Sequence, residues 1–132
     1  MKSDPVVHFE MPAKDKKRVA EFYSKVFGWN MQQLGEEMGS YILAQTAETD
    51  EKTMMMKRPG AINGGFFEYK DEELYRVPHL VIAVENLDES IKKVEEAGGK
   101  IDTKKMEIQG IGMYVSIKDS EGNIIGMLQP IR

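Results

Sequence analysis

The chain has 132 residues, 41% hydrophobic and 30% charged, the size and composition of one globular domain with a core of its own. It contains no cysteine, which excludes disulfides, thiolate metal sites and thiol nucleophiles and leaves histidine, carboxylate, tyrosine and backbone groups for chemistry. The net charge of -4 is spread over mixed clusters such as "AKDKKR" and "KDEE", so nucleic acid is not an expected partner. The opening "MKSDPVVHFEMPAKD" has no secretory pattern, and no segment approaches the roughly 20 apolar residues of a membrane span. A soluble, cytoplasmic protein without a membrane partner is expected.

In chain order, "VHFEMPAKDKKRVAEFYSKVFGW" starts as a strand around His8 and becomes a helix with Val19, Phe22, Tyr23, Val26 and Phe27 at helical spacing. Gly28 should cap that helix in the left-handed conformation. "GSYILAQ" (39–45) reads as a strand, "TAETDEKTMMMKRPG" as a surface loop, and "INGGFFEY" (62–69) as a further strand. In the loop, Met54, Met55 and Met56 are expected to fold back onto apolar surface. "PHLVIAVENLDESIKKVEEAGGK" then repeats the opening, with a strand around His79, helix positions Leu87, Ile91 and Val94, and a stop at Gly98–Gly99. The interval from His8 to Gly28 equals that from His79 to Gly99, 20 residues. Downstream, "GMYVSIK" (112–118) echoes "GSYILAQ", with Tyr114 opposite Tyr41, and "IIGMLQPI" (124–131) echoes "INGGFFEY", with Gly126 opposite Gly64.

Strand parity separates two faces. Met113, Val115 and Ile117 form the apolar set expected beneath a helix, which turns Tyr114, Ser116 and Lys118 the other way. By the same count His8, Glu10, Tyr41, Leu43, Gln45, His79, Val81 and Ala83 face away from the helices. The face turned from the helices is therefore expected to carry His8, Glu10, Tyr41, His79, Tyr114 and Ser116. Histidines and tyrosines in such a set serve equally well as buried, hydrogen-bonded packing. Trp29 is read as packing. No nucleophile triad, phosphate-binding loop or local metal motif is present, so no catalytic residue is assigned.

The order and duplication of "VHFEMP…RVAEFYSKVFGW", "HLVIAVENLDESIKKVEEAGGK" and "DSEGNIIGMLQP" resemble the vicinal oxygen chelate superfamily, the glyoxalase, bleomycin-resistance and extradiol-dioxygenase group. The resemblance implies an α+β fold, two βαβββ modules (about 5–69 and 77–131 within one domain, 1–132) forming a curved mixed sheet with a central cleft. Metal-dependent relatives hold an ion with first-strand histidines, matched by His8 and His79, and last-strand glutamates. Where the family pattern "DPDGNxIE" ends in glutamate, this chain reads "DSEGNIIG", which leaves Gly126 at the ligand position and, by the repeat, Gly64 at its counterpart; the cleft that the resemblance implies is then lined by His8, Glu10, Tyr41, Gly64, Phe66, His79, Tyr114, Ser116 and Gly126. The resemblance thus implies a metal-independent binder of a small, partly apolar molecule, without cofactor and paired as a homodimer. Two alternatives stand beside it. One is a lyase, isomerase or dioxygenase using zinc, nickel or iron on His8 and His79; the other is a protein-interaction module without a small ligand.

Overall fold

The computed structural model describes residues 2–36, 39–53 and 55–131. The chain divides into two compact units, His8–Pro78, and Met1–Val7 together with His79–Arg132. The start of the chain is held in the second unit, where the Ala83 amide donates to the Pro5 carbonyl at 3.0 Å. The fold is α+β, and each unit carries one copy of the βαβββ plan.

The first unit uses β1 (Val6–Ala13) from His8 onward, α1 (Lys16–Phe27), β2 (Asn30–Gln33), β3 (Ile42–Gln45) and β4 (Asn63–Glu68). Its sheet order is β2-β3-β4-β1, antiparallel except for the β1–β4 pair, which is parallel because α1 carries the chain back over the sheet. Asp15 caps α1 by accepting from the Arg18 amide at 3.0 Å, and Gly28 ends it at φ 72°. Ala13, Ile42, Ala44 and Phe66 form the core, joined by Phe9, Met11, Val19, Tyr23, Trp29 and Met31. Trp29 stacks on Tyr23 with ring centroids 4.8 Å apart. Of the five expected apolar helix positions only Val19 and Tyr23 join this core. Phe22, Val26 and Phe27 are 53%, 56% and 58% exposed. The apolar stripe is wider than the sheet it covers.

The second unit repeats the plan with β5 (His79–Ala83), α2 (Leu87–Glu96), β6 (Lys100–Ile101), β7 (Met106–Ile108), β8 (Gly112–Lys118) and β9 (Ile124–Pro130). β5 and β9 are parallel, while β8 runs antiparallel to β9 and to both β6 and β7. Three strands were expected after the helix and four are present, because the strand beyond β8 is interrupted at residues 102–105. The interruption has a visible cause. The Asp102 and Thr103 amides both donate to the Ser116 carbonyl, at 2.9 and 3.2 Å, which forces two residues to oppose one. Val84, Leu87, Val115, Ile117 and Met127 form the core, with Ile91 and Val94 of α2 packed against it as expected.

The connection between β3 and β4 does not tuck its methionines inward throughout. Met55 is 70% exposed, Met56 is half-buried, and Met54 lies outside the described residues. Among the described residues no helix is long and apolar enough to cross a membrane.

Candidate functional site

Within the first unit, β1 and β4 run side by side in the register His8↔Asn63, Phe9↔Gly64 and Glu10↔Gly65. Neighbours in register share a face, so His8, Glu10 and Gly65 lie together while Phe9 and Gly64 lie against the helix. A methyl group built on Gly64 would run into the Phe9 ring, and one built on Gly65 would run into the Tyr41 hydroxyl and ring. Phe66 is 2% exposed in the α1 core. Gly64 and Phe66 therefore do not belong to the face expected of them; the shift is one residue, and Gly65 and Phe67 take their places.

Three polar side chains meet on that face. The Tyr41 hydroxyl donates to Oε2 of Glu10 at 2.9 Å, and Nε2 of His8 lies 2.9 Å from the same hydroxyl. A phenol has one proton to give. Since that proton goes to the carboxylate, His8 must be the donor to the phenol oxygen, which assigns the hydrogen to Nε2. All three side chains are half-buried.

The second unit repeats the arrangement with different chemistry. The register Val81↔Gly126 and Ser116↔Gly126 places Gly126 as the counterpart of Gly65. A methyl group on Gly126 would run into the Tyr114 hydroxyl and approach its ring carbons at 2.8 and 2.9 Å. That hydroxyl lies 3.4 Å from Nε2 of His79, itself 7% exposed. Two residues beyond His79 stands Val81, 2% exposed, where the first unit has Glu10. The second dyad has an apolar neighbour in place of a carboxylate.

Ser116 shares the expected face but is fully buried, and its hydroxyl is engaged. It donates to Oδ2 of Asp102 at 3.1 Å and lies 2.8 Å from Oγ1 of Thr103, which accepts from the Ser116 amide at 3.0 Å. This network ties the interrupted outer strand to β8 and gives Ser116 a structural task. Asp102 and Thr103 carry no local sequence signal for it, since their partner lies more than ten residues away.

The metal set of the resembled family does not fit these residues. Among the described residues no group of three or more histidines and carboxylates could hold an ion. The space in front of each last-strand glycine contains a tyrosine hydroxyl, which also engages the Nε2 that a metal would need. Two hollows among the described residues lie elsewhere. One, about 350 Å³, is bordered by Glu85, Glu107 and Gln129 of the second unit. The other, about 640 Å³, lies along the β3–β4 connection at Glu48, Asp50 and Lys57.

Comparison with known proteins agrees with this framework. The model of the Glyoxalase/Bleomycin resistance protein/Dioxygenase superfamily matches residues 6–127. Methylmalonyl-CoA epimerase from Mycobacterium tuberculosis is similar in structure, with TM-score 0.66 and 16% identity over 96% of this chain and 88% of that one. The Streptomyces coelicolor methylmalonyl-CoA epimerase in complex with 2-nitronate-propionyl-CoA gives 0.67 and 13% over 96% and 97%. A hypothetical protein from Bacillus halodurans C-125 gives 0.66 and 16% over 99% and 97%. At such identities the likeness extends to the fold alone. No curated protein matches the sequence.

Proposed function

Because the chain belongs to the Glyoxalase/Bleomycin resistance protein/Dioxygenase superfamily, we propose that it binds a small, partly apolar molecule, without a resident metal, on the faces carrying His8, Glu10 and Tyr41 and His79 and Tyr114. The observation that supports this reading is the paired seating of two phenols over two glycines. Each hydroxyl fills the space in front of Gly65 or Gly126 and bonds the first-strand histidine. A carboxylate at the glycine would add an anionic metal ligand; the phenol instead adds a neutral hydrogen-bonding group with an apolar ring. Such a surface suits reversible binding by shape and hydrogen bonds. The binder is proposed to act as a sequestering protein and to pair as a homodimer.

Elemental analysis of the purified protein tests the metal-free reading. The expected result is well below one equivalent of zinc, nickel, iron or manganese per chain. About one equivalent, lost on His8→Ala or His79→Ala, would overturn it.

A further inference from the structure

The second unit's helix-distal face is built from apolar side chains around Tyr114. Register sets its members: Ala83 pairs with Leu128, Leu128 with Tyr114, and Tyr114 with Met106. Val81 and Ile108 extend the same face, each two residues from a member of that row. The other side of these strands is a separate set, since Met113, Val115 and Met127 pack into the α2 core. No charged side chain is among Val81, Ala83, Met106, Ile108 and Leu128. Glu107, between Met106 and Ile108, pairs with Met113 and so turns to the helix side. Lys105 is bonded to Asp88 at 2.6 Å, and Lys118 lies at the far end of β8, beyond Ser116.

Met106 differs from its neighbours on this face. It is 50% exposed, whereas Val81 is buried and Ala83, Ile108 and Leu128 are half-buried. A thioether on an unbranched side chain is polarisable and adaptable, and its sulfur makes favourable contacts at the edge of an aromatic ring. We propose that Met106 is a specificity-determining residue, and that the second unit's face takes an uncharged, flat aromatic ring system. This rests on the reading of the His79 and Tyr114 face as a ligand face. The ring would lie along Ala83 and Leu128 with the Met106 sulfur at its edge. Covering these side chains removes apolar area from water, while an ionised group laid on the same residues would lose hydration without a charge among them to replace it.

The test is an NMR titration of the full chain labelled at the methionine methyl carbons and the histidine Cε1 carbons, which gives signals from 10 methionines and 2 histidines. Signals lost in Met106→Leu and in His8→Ala assign Met106 and, by elimination, His79. Three probes of matched size are used at pH 7: 2-naphthol, its saturated counterpart 2-decalol, and 2-naphthoate. 2-Naphthol should move the Met106 methyl upfield, as a nearby ring current does, and should bind at least about tenfold tighter than 2-naphthoate. 2-Decalol, which is not flat, should bind more weakly than 2-naphthol. Met106→Gln should weaken 2-naphthol at least about fivefold and narrow its preference over 2-decalol. Met106→Leu keeps the apolar area and should lose less. Met55→Gln, at a methionine 70% exposed in the first unit, should change nothing. Thermal melts of each variant establish folding, and the wild-type shift is read without any variant's affinity.

A Met106 signal that stays still up to the solubility limit of 2-naphthol, 2-naphthoate bound as tightly as 2-naphthol, or a folded Met106→Gln that binds 2-naphthol as tightly as the wild type would each overturn the assignment. The histidine signals separate two failures. Movement of His79 with a still Met106 overturns the role of Met106 and leaves the ligand face standing. Stillness of both removes the second unit's ligand face as well, whereas the metal-free reading is tested separately by elemental analysis.

Discussion

Gly65 and Gly126 each lie diagonally across a strand pair from a tyrosine whose ring covers the glycine, so the absence of a side chain is a packing requirement of Tyr41 and Tyr114. Gly126→Ala places a methyl against the Tyr114 hydroxyl, and displacing a ring inside a packed sheet costs on the order of 1–3 kcal/mol. The destabilisation should shrink in a Tyr114→Phe background, because the nearest colliding atom has gone. Chemical denaturation of the four proteins of this cycle measures it, and strict additivity would show that the two side chains do not meet. Gly65→Ala should behave alike toward Tyr41. The identity of this glycine is where sequence reasoning slipped. In "INGGFFEY" the tandem Gly64–Gly65 and Phe66–Phe67 make both parities read the same, so alternation carries no information. In "GMYVSIK" apolar and polar residues alternate without a break, and the parity read there matches the structure. Only the nonlocal pairing of β1 with β4 fixes the first case.

Helix ends were legible at the scale of elements because a single residue type, glycine, satisfies each. Gly28 is at φ 72°, and Gly28→Ala should destabilise α1 by about 1 kcal/mol, read as a lower melting temperature with helix content retained. The turn between β8 and β9 rests on Asp119. Its carboxylate accepts from the Asn123 side-chain amide at 2.9 Å and from the Asn123 and Glu121 amides at 2.9 and 2.8 Å. These bonds, the Asn123 side chain first, hold its pKa below the ordinary carboxylate value. A depressed folded pKa contributes stability that is present above the unfolded value of about 3.9 and is lost as pH falls through the folded value. Asp119→Ala should therefore melt below the wild type at pH 7, and the gap should narrow as the pH falls below the unfolded value and through the lower folded one. A gap that stayed constant across that range would remove the carboxylate from the explanation. The exposed Phe22, Val26 and Phe27 show the limit of periodicity as a guide. Helical spacing identifies which residues could share a stripe, whereas how much of the stripe is covered depends on the width of the sheet.

For the whole molecule the duplicated plan was readable from the equal His-to-Gly intervals and the family resemblance, while the joining of residues 2–7 to the second unit was not, since it depends on pairing across the length of the chain. The exposed α1 stripe gives the proposed homodimer a surface to test. Light scattering should return twice the 15.0 kDa chain mass, and Phe22→Ser with Val26→Ser should return the chain mass itself. A wild type that remains at 15.0 kDa at every concentration would remove the pairing. The break between β6 and β7 bears on a different kind of association. A long unpaired strand is a template on which other chains can add strands, and segments of two and three residues with a kink between them template poorly. The Ser116, Thr103 and Asp102 network at the break is therefore expected to hinder strand addition along that border. Replacing Asp102 and Thr103 together by valine should straighten and lengthen that border, and the variant should seed thioflavin-positive aggregates under conditions in which the parent stays clear.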